Sequence, residues 1–340
     1  MSKDSSKGVK PLLVAVDDGY AQTKLVGESP DGTGTISILI RSSVRPGRYG
    51  VSSLSGAKSS GAYRTEEGED FTVSEDVEAE STRFDGFHTS PMNRALVHHA
   101  LVKGGYGGRS VDLIAGLPVA DFFRSGDGLD REKIAAKKLN LSKGVTSASG
   151  LPLAKLGEVR IGCQAVAAFV DYLLDDDLVE RVVPKGRVAV VDIGGRTTDV
   201  AVVMNGEGLD DARSGTANIG VMDVYDAVAR GMRAEFGIRD AFPMALLDGA
   251  VRTGLVPLWG EEKDVKAIVE AAVREQETKI AREVERRLGG ASNVDVVLFV
   301  GGGAAVFPGV ADRFRNGRRA EDPEFANARG LLKYVRNFSV

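Results

Sequence analysis

Two stretches of the sequence end an apolar run with an aspartate and follow it with glycine and small polar residues. The first is Val14-Ala15-Val16-Asp17-Asp18-Gly19-Tyr20-Ala21-Gln22-Thr23-Lys24, and the second is Ala189-Val190-Val191-Asp192-Ile193-Gly194-Gly195-Arg196-Thr197-Thr198-Asp199. Set one above the other, Asp17 falls on Asp192, Gly19 on Gly194 and Thr23 on Thr198. Each copy reads as a buried strand, a tight turn and a returning strand. A glycine turn of this kind leaves backbone N–H groups free to point at phosphate oxygens. An aspartate cannot bind phosphate directly, but it can hold water on Mg²⁺, which bridges nucleotide oxygens. Thr and Ser hydroxyls and the Lys24 ammonium supply further donors to a phosphate chain. One Asp-Gly turn is an ordinary hairpin. Two matched turns point to two similar α/β halves presenting their hairpins to one cleft.

Two more elements fit the same cleft. Gly301-Gly302-Gly303-Ala304 follows the apolar run Val297-Leu298-Phe299-Val300. Three glycines between a strand and a helix let a ligand approach the backbone closely, which suits a flat nucleoside. Taken alone, the run is equally a tight strand-to-helix turn. Gln164 heads the apolar segment Ala165-Val166-Ala167-Ala168-Phe169. Nucleotide hydrolysis needs a polar group to orient the attacking water, and an amide can do so as donor and acceptor. The plainer alternative is a helix-start glutamine with a local hydrogen bond.

These residues need a frame. Leu12–Val16 reads as a buried strand, Gln22–Gly27 as its return, and Thr35–Ile40 as a third strand beyond the Ser29-Pro30-Asp31-Gly32 turn. Arg187–Asp192 and Thr198–Met204 form the matching pair, and Asn205-Gly206 is a hairpin signal. Val111–Leu117, closed by Pro118, and Val294–Val300 are further buried strands. Helices are predicted over Pro91–Val102, Asp130–Leu139, Val221–Ala234 and Val265–Leu288, with the basic face of Asp130–Leu139 in solvent. Leu331–Val335 makes a last short element. Arg41 to Arg64 is rich in Ser, Gly and Arg and is expected to be a mobile surface insertion. His98-His99 lies inside a helix without partners at metal-ligand spacing.

Composition bounds the class. The chain has 340 residues, enough for about two domains, and its 43% hydrophobic and 27% charged content is that of a soluble globular protein. The net charge is −4 with both signs spread along the chain, so no basic stripe favours direct nucleic-acid binding. The single cysteine, Cys163, excludes an intrachain disulfide and reads as a small core residue. No apolar run reaches the roughly 18 residues that span a bilayer. The polar start, Met1 to Lys7, has no signal-peptide core, and a cytoplasmic location is expected.

Together these segments resemble the superfamily of actin, sugar kinases and heat-shock chaperones. Asp17-Asp18-Gly19 through Lys24 is similar to its first phosphate motif, Gln164-Ala165-Val166 to its connecting segment, Asp192 to Asp199 to its second phosphate motif, and Val300 to Ala304 to its adenosine motif. Asp17-Asp18-Gly19, Val97-His98-His99-Ala100-Leu101, Val111-Asp112-Leu113 to Leu117-Pro118, Ile219-Gly220-Val221 and Asp322-Pro323-Glu324-Phe325 to Gly330 narrow the resemblance to the ParM/StbA plasmid-segregation actins.

The resemblance implies an α/β, actin-like two-domain fold, each domain with a ribonuclease-H-like core and a nucleotide cleft between them. Residues 1–186 would form domain I, with about 318–340 returning to it, and 187–317 domain II. It implies ATP or ADP and Mg²⁺ as cofactors. Asp17 and Asp192 would hold Mg²⁺ through water and act with Gln164 in catalysis. Asp18, Gly19, Lys24, Gly194, Gly195 and Thr197 would bind the phosphate side, and Gly301, Gly302 and Gly303 the adenosine. It implies ATP-driven self-assembly into filaments and a DNA-binding adaptor on a plasmid centromere-like site, with no direct nucleic-acid or membrane contact. A small-molecule kinase on the same fold is the alternative. It needs a carboxylate base aimed at a substrate hydroxyl, and no aspartate stands out beyond those given to Mg²⁺.

Overall fold

The computed structural model describes residues 10–49, 61–75, 79–124, 126, 128–181 and 186–338. Val14 to Val16 and Val188 to Val191 are apolar on both faces of their strands, the pattern of sheets covered on both sides. The strand Leu12–Asp18 pairs antiparallel with Gln22–Glu28, which pairs with Thr35–Arg41. On its other edge it lies parallel to Ser110–Leu117, and Lys155–Cys163 extends the sheet in parallel. The second sheet repeats this order. Arg187–Ile193 pairs antiparallel with Thr198–Met204 and parallel with Val296–Val300, beyond which lies Gly317–Arg319.

The internal repeat extends to the register. Asp17 stands opposite Lys24, and Asp192 stands opposite Asp199. Asn205 and Gly206 both have positive φ, 54° and 76°, as a two-residue primed hairpin turn requires.

Alternation along each strand divides the core into layers. In the first sheet Val14, Val16 and Leu25 meet Val97, Ala100 and Leu101 of the helix Pro91–Lys103. Ala15, Val26 and Ile114 face the other way, onto Ala167 and onto Leu331, Leu332 and Val335. In the second sheet Val188, Val190, Ala201 and Val203 pack on Ala165, Ala168 and Phe169. Ala189, Val191 and Val202 pack toward the helices Val221–Phe236 and Lys266–Leu288. The helix Gln164–Leu173 therefore lies between the two sheets, with Ala167 on one and Ala165 on the other. Its alanines allow that double contact.

Three expectations are corrected. The terminal element is a full helix, Ala326–Phe338, amphipathic and starting five residues before Leu331. The flanks of the Arg41 to Arg64 segment are strands: Val44–Pro46 and Ala62–Thr65 join Asp70–Val73 and Val145–Ser147 in a four-stranded sheet, with Val44 and Tyr63 fully buried. Its middle, residues 50–60, lies outside the described residues. Finally, Lys137 of the helix Arg131–Ser142 is buried and not in solvent, because an acidic partner waits inside. Cys163 is buried as expected, and burial raises its thiol to about 12, which leaves it unreactive.

The helix Ala326–Phe338 crosses Gln164–Leu173 at a glycine. A methyl group on Gly330 would collide with the Ala167 carbonyl. Gly330→Ala is expected to cost about 3 kcal/mol or more, the upper range for overpacking. Urea unfolding checks this, and an unchanged midpoint would refute the close crossing.

Candidate nucleotide-binding cleft

Both Asp-Gly turns open onto one cleft. Asp17, Gly19 and Lys24 line it from the first hairpin, and Asp192, Gly194, Gly195 and Thr197 from the second. Gln164 and Gly301 to Gly303 complete the set. The hairpin tips touch, since a methyl on Gly195 would come within 2.5 Å of the Ala21 Cβ. Local bonds fix both turns. Ser42 Oγ donates to the Gly19 carbonyl at 2.7 Å. The first N–H groups of the helix Val221–Phe236, on Val221 and Met222, donate to the carbonyls of Gly194 and Gly195 at 3.1 and 2.9 Å.

Asp17 and Asp192 form the floor. Gln164 Nε2 donates to Asp17 Oδ1 at 2.6 Å, and the Lys24 ammonium lies 3.6 Å from Asp17 Oδ2. A carboxylate only accepts, so the glutamine nitrogen must face it and the amide oxygen is left to accept from elsewhere. The Gln164 stem lies flat on the neighbouring strand because residue 116 is glycine; a methyl there would sit 2.5 Å from Gln164 Cγ. Asn327 Nδ2 donates to Asp192 Oδ2 at 2.7 Å and reaches Asp17 Oδ2 at 3.5 Å. One amide thus serves both carboxylates. Asn327 is a site residue within the segment Asp322 to Gly330, its role visible only once the terminal helix is placed.

Burial raises the Asp192 carboxyl to about 7, and the nearby charges of Asp17 and Asp199 push the same way. Asp199 is raised to about 6, again chiefly by burial, although Thr216 Oγ1, Val119 N and Thr197 Oγ1 all donate to it. The Thr197 hydroxyl is therefore engaged by Asp199 at 3.1 Å.

Two of the three glycines in the 301–303 run answer to packing. Gly301 has φ +82°, and a methyl on it would strike Asp192 Oδ1, while one on Gly303 would strike the Ile193 side chain. Gly302 is less confined: an added Cβ would meet only the side chains of Glu324, with Oε1 at 3.3 Å, and Gln22, with Oε1 at 3.6 Å. At the mouth, Arg41 Nη2 donates to Asp248 Oδ2 at 2.7 Å, and the Tyr225 hydroxyl donates to Asp248 Oδ1 at 2.7 Å. Arg252 pairs with Asp248 at 3.1 Å and with Glu324 at 3.2 Å. The Gln22 amide, oriented by its neighbours, donates to Glu324 at 2.9 Å and accepts from Arg252 at 3.2 Å. Of these mouth residues Gln22 lies in the first Asp-Gly segment and Glu324 in the segment Asp322 to Gly330, whereas Arg41, Tyr225, Asp248 and Arg252 stand in no recognisable motif.

Asp18 is placed apart from the others. It is fully buried and does not line the cleft. Lys137 Nζ donates to its two oxygens at 2.8 and 2.7 Å and to the Gly116 carbonyl at 2.6 Å. Burial is the largest influence and would raise Asp18, but the Lys137 charge together with His88 and the hydrogen bonds to both holds the carboxyl below its usual range.

The residues fit Mg²⁺ and a nucleotide. Two carboxylates crowd under one amide, and the buried Asn327 Oδ1 has no partner among the described residues. Among the described residues no three His, Cys, Asp or Glu side chains converge to hold a metal directly. Such a donor set suits Mg²⁺, which keeps several waters and takes one or two carboxylates plus phosphate oxygens.

The raised carboxyl has a measurable sign. Folded Asp192 holds a proton that the unfolded chain releases near pH 4. Its contribution to stability is therefore present below pH 4 and lost as pH rises toward about 7. The Asp192→Asn variant should melt higher than the parent at pH 8 and lose that advantage by pH 4. Parallel melting curves across this range would show the effect or its absence.

Comparison with known proteins places the architecture. Residues 12–169 match the family model of plasmid segregation protein ParM, N-terminal, and residues 190–310 that of archaeal actin homologue MreB-like, C-terminal. No curated protein matches the sequence. Among solved structures, an archaeal actin homologue in complex with ADP is similar at TM-score 0.73 and 22% identity, covering 96% of this chain and 99% of that one. A ParM from a 15-stranded filament of Clostridium botulinum is similar at TM-score 0.75 and 17% identity, covering 97% and 100%. The actin-like protein Alp7A is similar at TM-score 0.72 and 16% identity, covering 97% of each. At these identities the likenesses establish the actin-like fold, in which two ribonuclease-H-like cores face one cleft. Both halves are thus matched by models of actin homologues, the first by that of ParM and the second by that of an archaeal MreB-like protein.

Proposed function

We propose that this protein hydrolyses ATP, assembles with copies of itself into filaments when ATP is bound, and separates plasmid DNA in the cytoplasm through a DNA-binding adaptor. The observation that carries this is the convergence of two register-matched Asp-Gly hairpins on one floor, with the Gln164 amide held between them on Asp17. The similar archaeal actin homologue was solved with ADP and the similar ParM as a filament, which supports both nucleotide binding and self-assembly here.

The roles follow from the geometry. Gly19, Gly194 and Gly195 offer turn backbone to the phosphates, and Lys24 adds a charge. Asp17 and Asp192 would hold Mg²⁺ through water, and the ion when bound neutralises phosphate oxygens. Gly302 presents bare backbone to the nucleoside. Gln164, with its nitrogen on Asp17, has its oxygen free to accept a proton of the attacking water and hold it in line. A kinase base is harder to find. The other cleft carboxylates, Asp248 and Glu324, are tied to Arg41 and Arg252.

Motion follows from the cleft. A nucleotide gripped by both hairpins fixes the angle between the two sheets, and loss of the terminal phosphate releases it. In this reading residues 1–186 with 318–340 move as one body and 187–317 as the other.

Gln164→Ala is expected to bind ATP nearly as the parent does but to release phosphate about 10²-fold more slowly. With limiting ATP its light scattering should rise and stay, while that of the parent rises and decays. Parent-like phosphate release would reduce Gln164 to a helix-start residue. Slowed release with filaments that decay on schedule would break the link between hydrolysis and disassembly.

A chain of net charge −4 has little to neutralise DNA phosphates, the source of most non-specific affinity. No gel shift is expected with micromolar protein at about 150 mM salt, the physiological ionic strength. A clear shift would remove the need for an adaptor and direct attention to Arg45, Arg48 and Arg64.

A further inference from the structure

His88 lies in the short helix Phe87–Thr89 and is only 3% exposed. Its ring packs edge-on against Tyr20 and Phe87, with centroids 4.8 and 5.3 Å away. Its Nδ1 faces the buried Lys137–Asp18 pair, 3.5 Å from Lys137 Nζ and 4.0 Å from Asp18 Oδ2. Of these two neighbours the ammonium is the nearer, which assigns the imidazole lone pair to Nδ1. The ring proton then belongs on Nε2. Burial, and after it the Lys137 charge, hold His88 below its ordinary range, although Asp18 pulls the other way. The neutral ring therefore carries one N–H.

That N–H is orphaned. His88 Nε2 is buried and has no partner among the described residues. Orphaned buried donors are rare in native structures and call for an explanation. The position of the ring supplies one. His88 lines the cleft and also a neighbouring cavity, in a wall it shares with Tyr20, Pro118 and Thr197. Tyr20 follows the first Asp-Gly turn and Thr197 closes the second, so this wall borders the phosphate end of the cleft. Gly302 and Glu324 mark the other end.

We propose that His88 donates its Nε2–H to the terminal phosphate of the bound nucleotide and so lets the cleft tell a triphosphate from a diphosphate. The proposal rests on the nucleotide reading above. Asp18 and Lys137 then act as positioning residues. Their ion pair fixes the ring and its tautomer, which accounts for an acidic residue beside the floor that does not line the cleft.

The test is calorimetric titration of the full chain with Mg²⁺ and either ADP or a non-hydrolysable ATP analogue. A hydrogen bond to a charged group is worth roughly tenfold or more in affinity. His88→Leu should bind the analogue about tenfold more weakly and ADP within twofold of the parent. His88→Gln, which restores an N–H, should recover most of the loss. If His88→Leu loses native circular dichroism, His88→Phe keeps the aromatic packing without the donor and is held to the same result. Equal losses for both nucleotides, or no loss in a folded variant, would overturn the role of His88. Failure of the parent to bind either nucleotide would overturn the nucleotide reading itself, and this proposal with it.

Discussion

Two carboxylates, Asp17 and Asp192, are buried within reach of one amide, Asn327 Nδ2. Like charges so placed repel strongly where water is excluded. The protein answers with few countercharges: Lys24 at 3.6 Å from Asp17, the Gln164 amide on the same carboxylate, and a proton that Asp192 keeps up to about pH 7. That shortage leaves the floor short of positive charge, as the proposed Mg²⁺ would require. Both aspartates end the central strand of their sheets, so the repulsion also acts between the two halves of the molecule. Whatever neutralises it draws the halves together.

The mouth of the cleft shows the complementary arrangement. Arg41 reaches Asp248, Arg83 reaches Asp223 and Asp226, and Arg196 reaches Asp85, each pair joining segments far apart in sequence. Most of these partners are partly exposed, and such pairs are individually worth about 1 kcal/mol or less. Arg41–Asp248 is the exception, because Asp248 is buried and also takes the Tyr225 hydroxyl. A ring of weak pairs around one strong one can be broken and remade without unfolding either sheet.

The floor was legible because it is written twice. Asp17 and Asp192, with their glycines, repeat in sequence as they repeat in register, so either copy interprets the other. Gln164 was found because its apolar tail marks a helix start. The mouth residues Asp248 and Arg252 were not, since each reaches the cleft only through tertiary packing, and Asn327 and Glu324 stand in the segment Asp322 to Gly330 with no visible role until the terminal helix is placed. Lys137 was misplaced for the same reason. A lysine on a charged helix reads as solvated until the buried Asp18 appears beneath it. The short apolar strands Val44–Pro46 and Ala62–Thr65 were hidden among Ser, Gly and Arg, where composition outweighs a few β-branched and aromatic residues.

The helix Gln164–Leu173 touches both sheets, and Gly330 lets the terminal helix press directly on its backbone. Any rotation of one sheet against the other that keeps these contacts must take this helix as its axle. Points far from an axle sweep wide arcs and points on it hardly move. Gln164 sits on the axle, while Arg41 and Asp248 ride at the rim. In the proposed movement the mouth would swing while the amide keeps its place on Asp17, so that opening and aligning would be separate degrees of freedom.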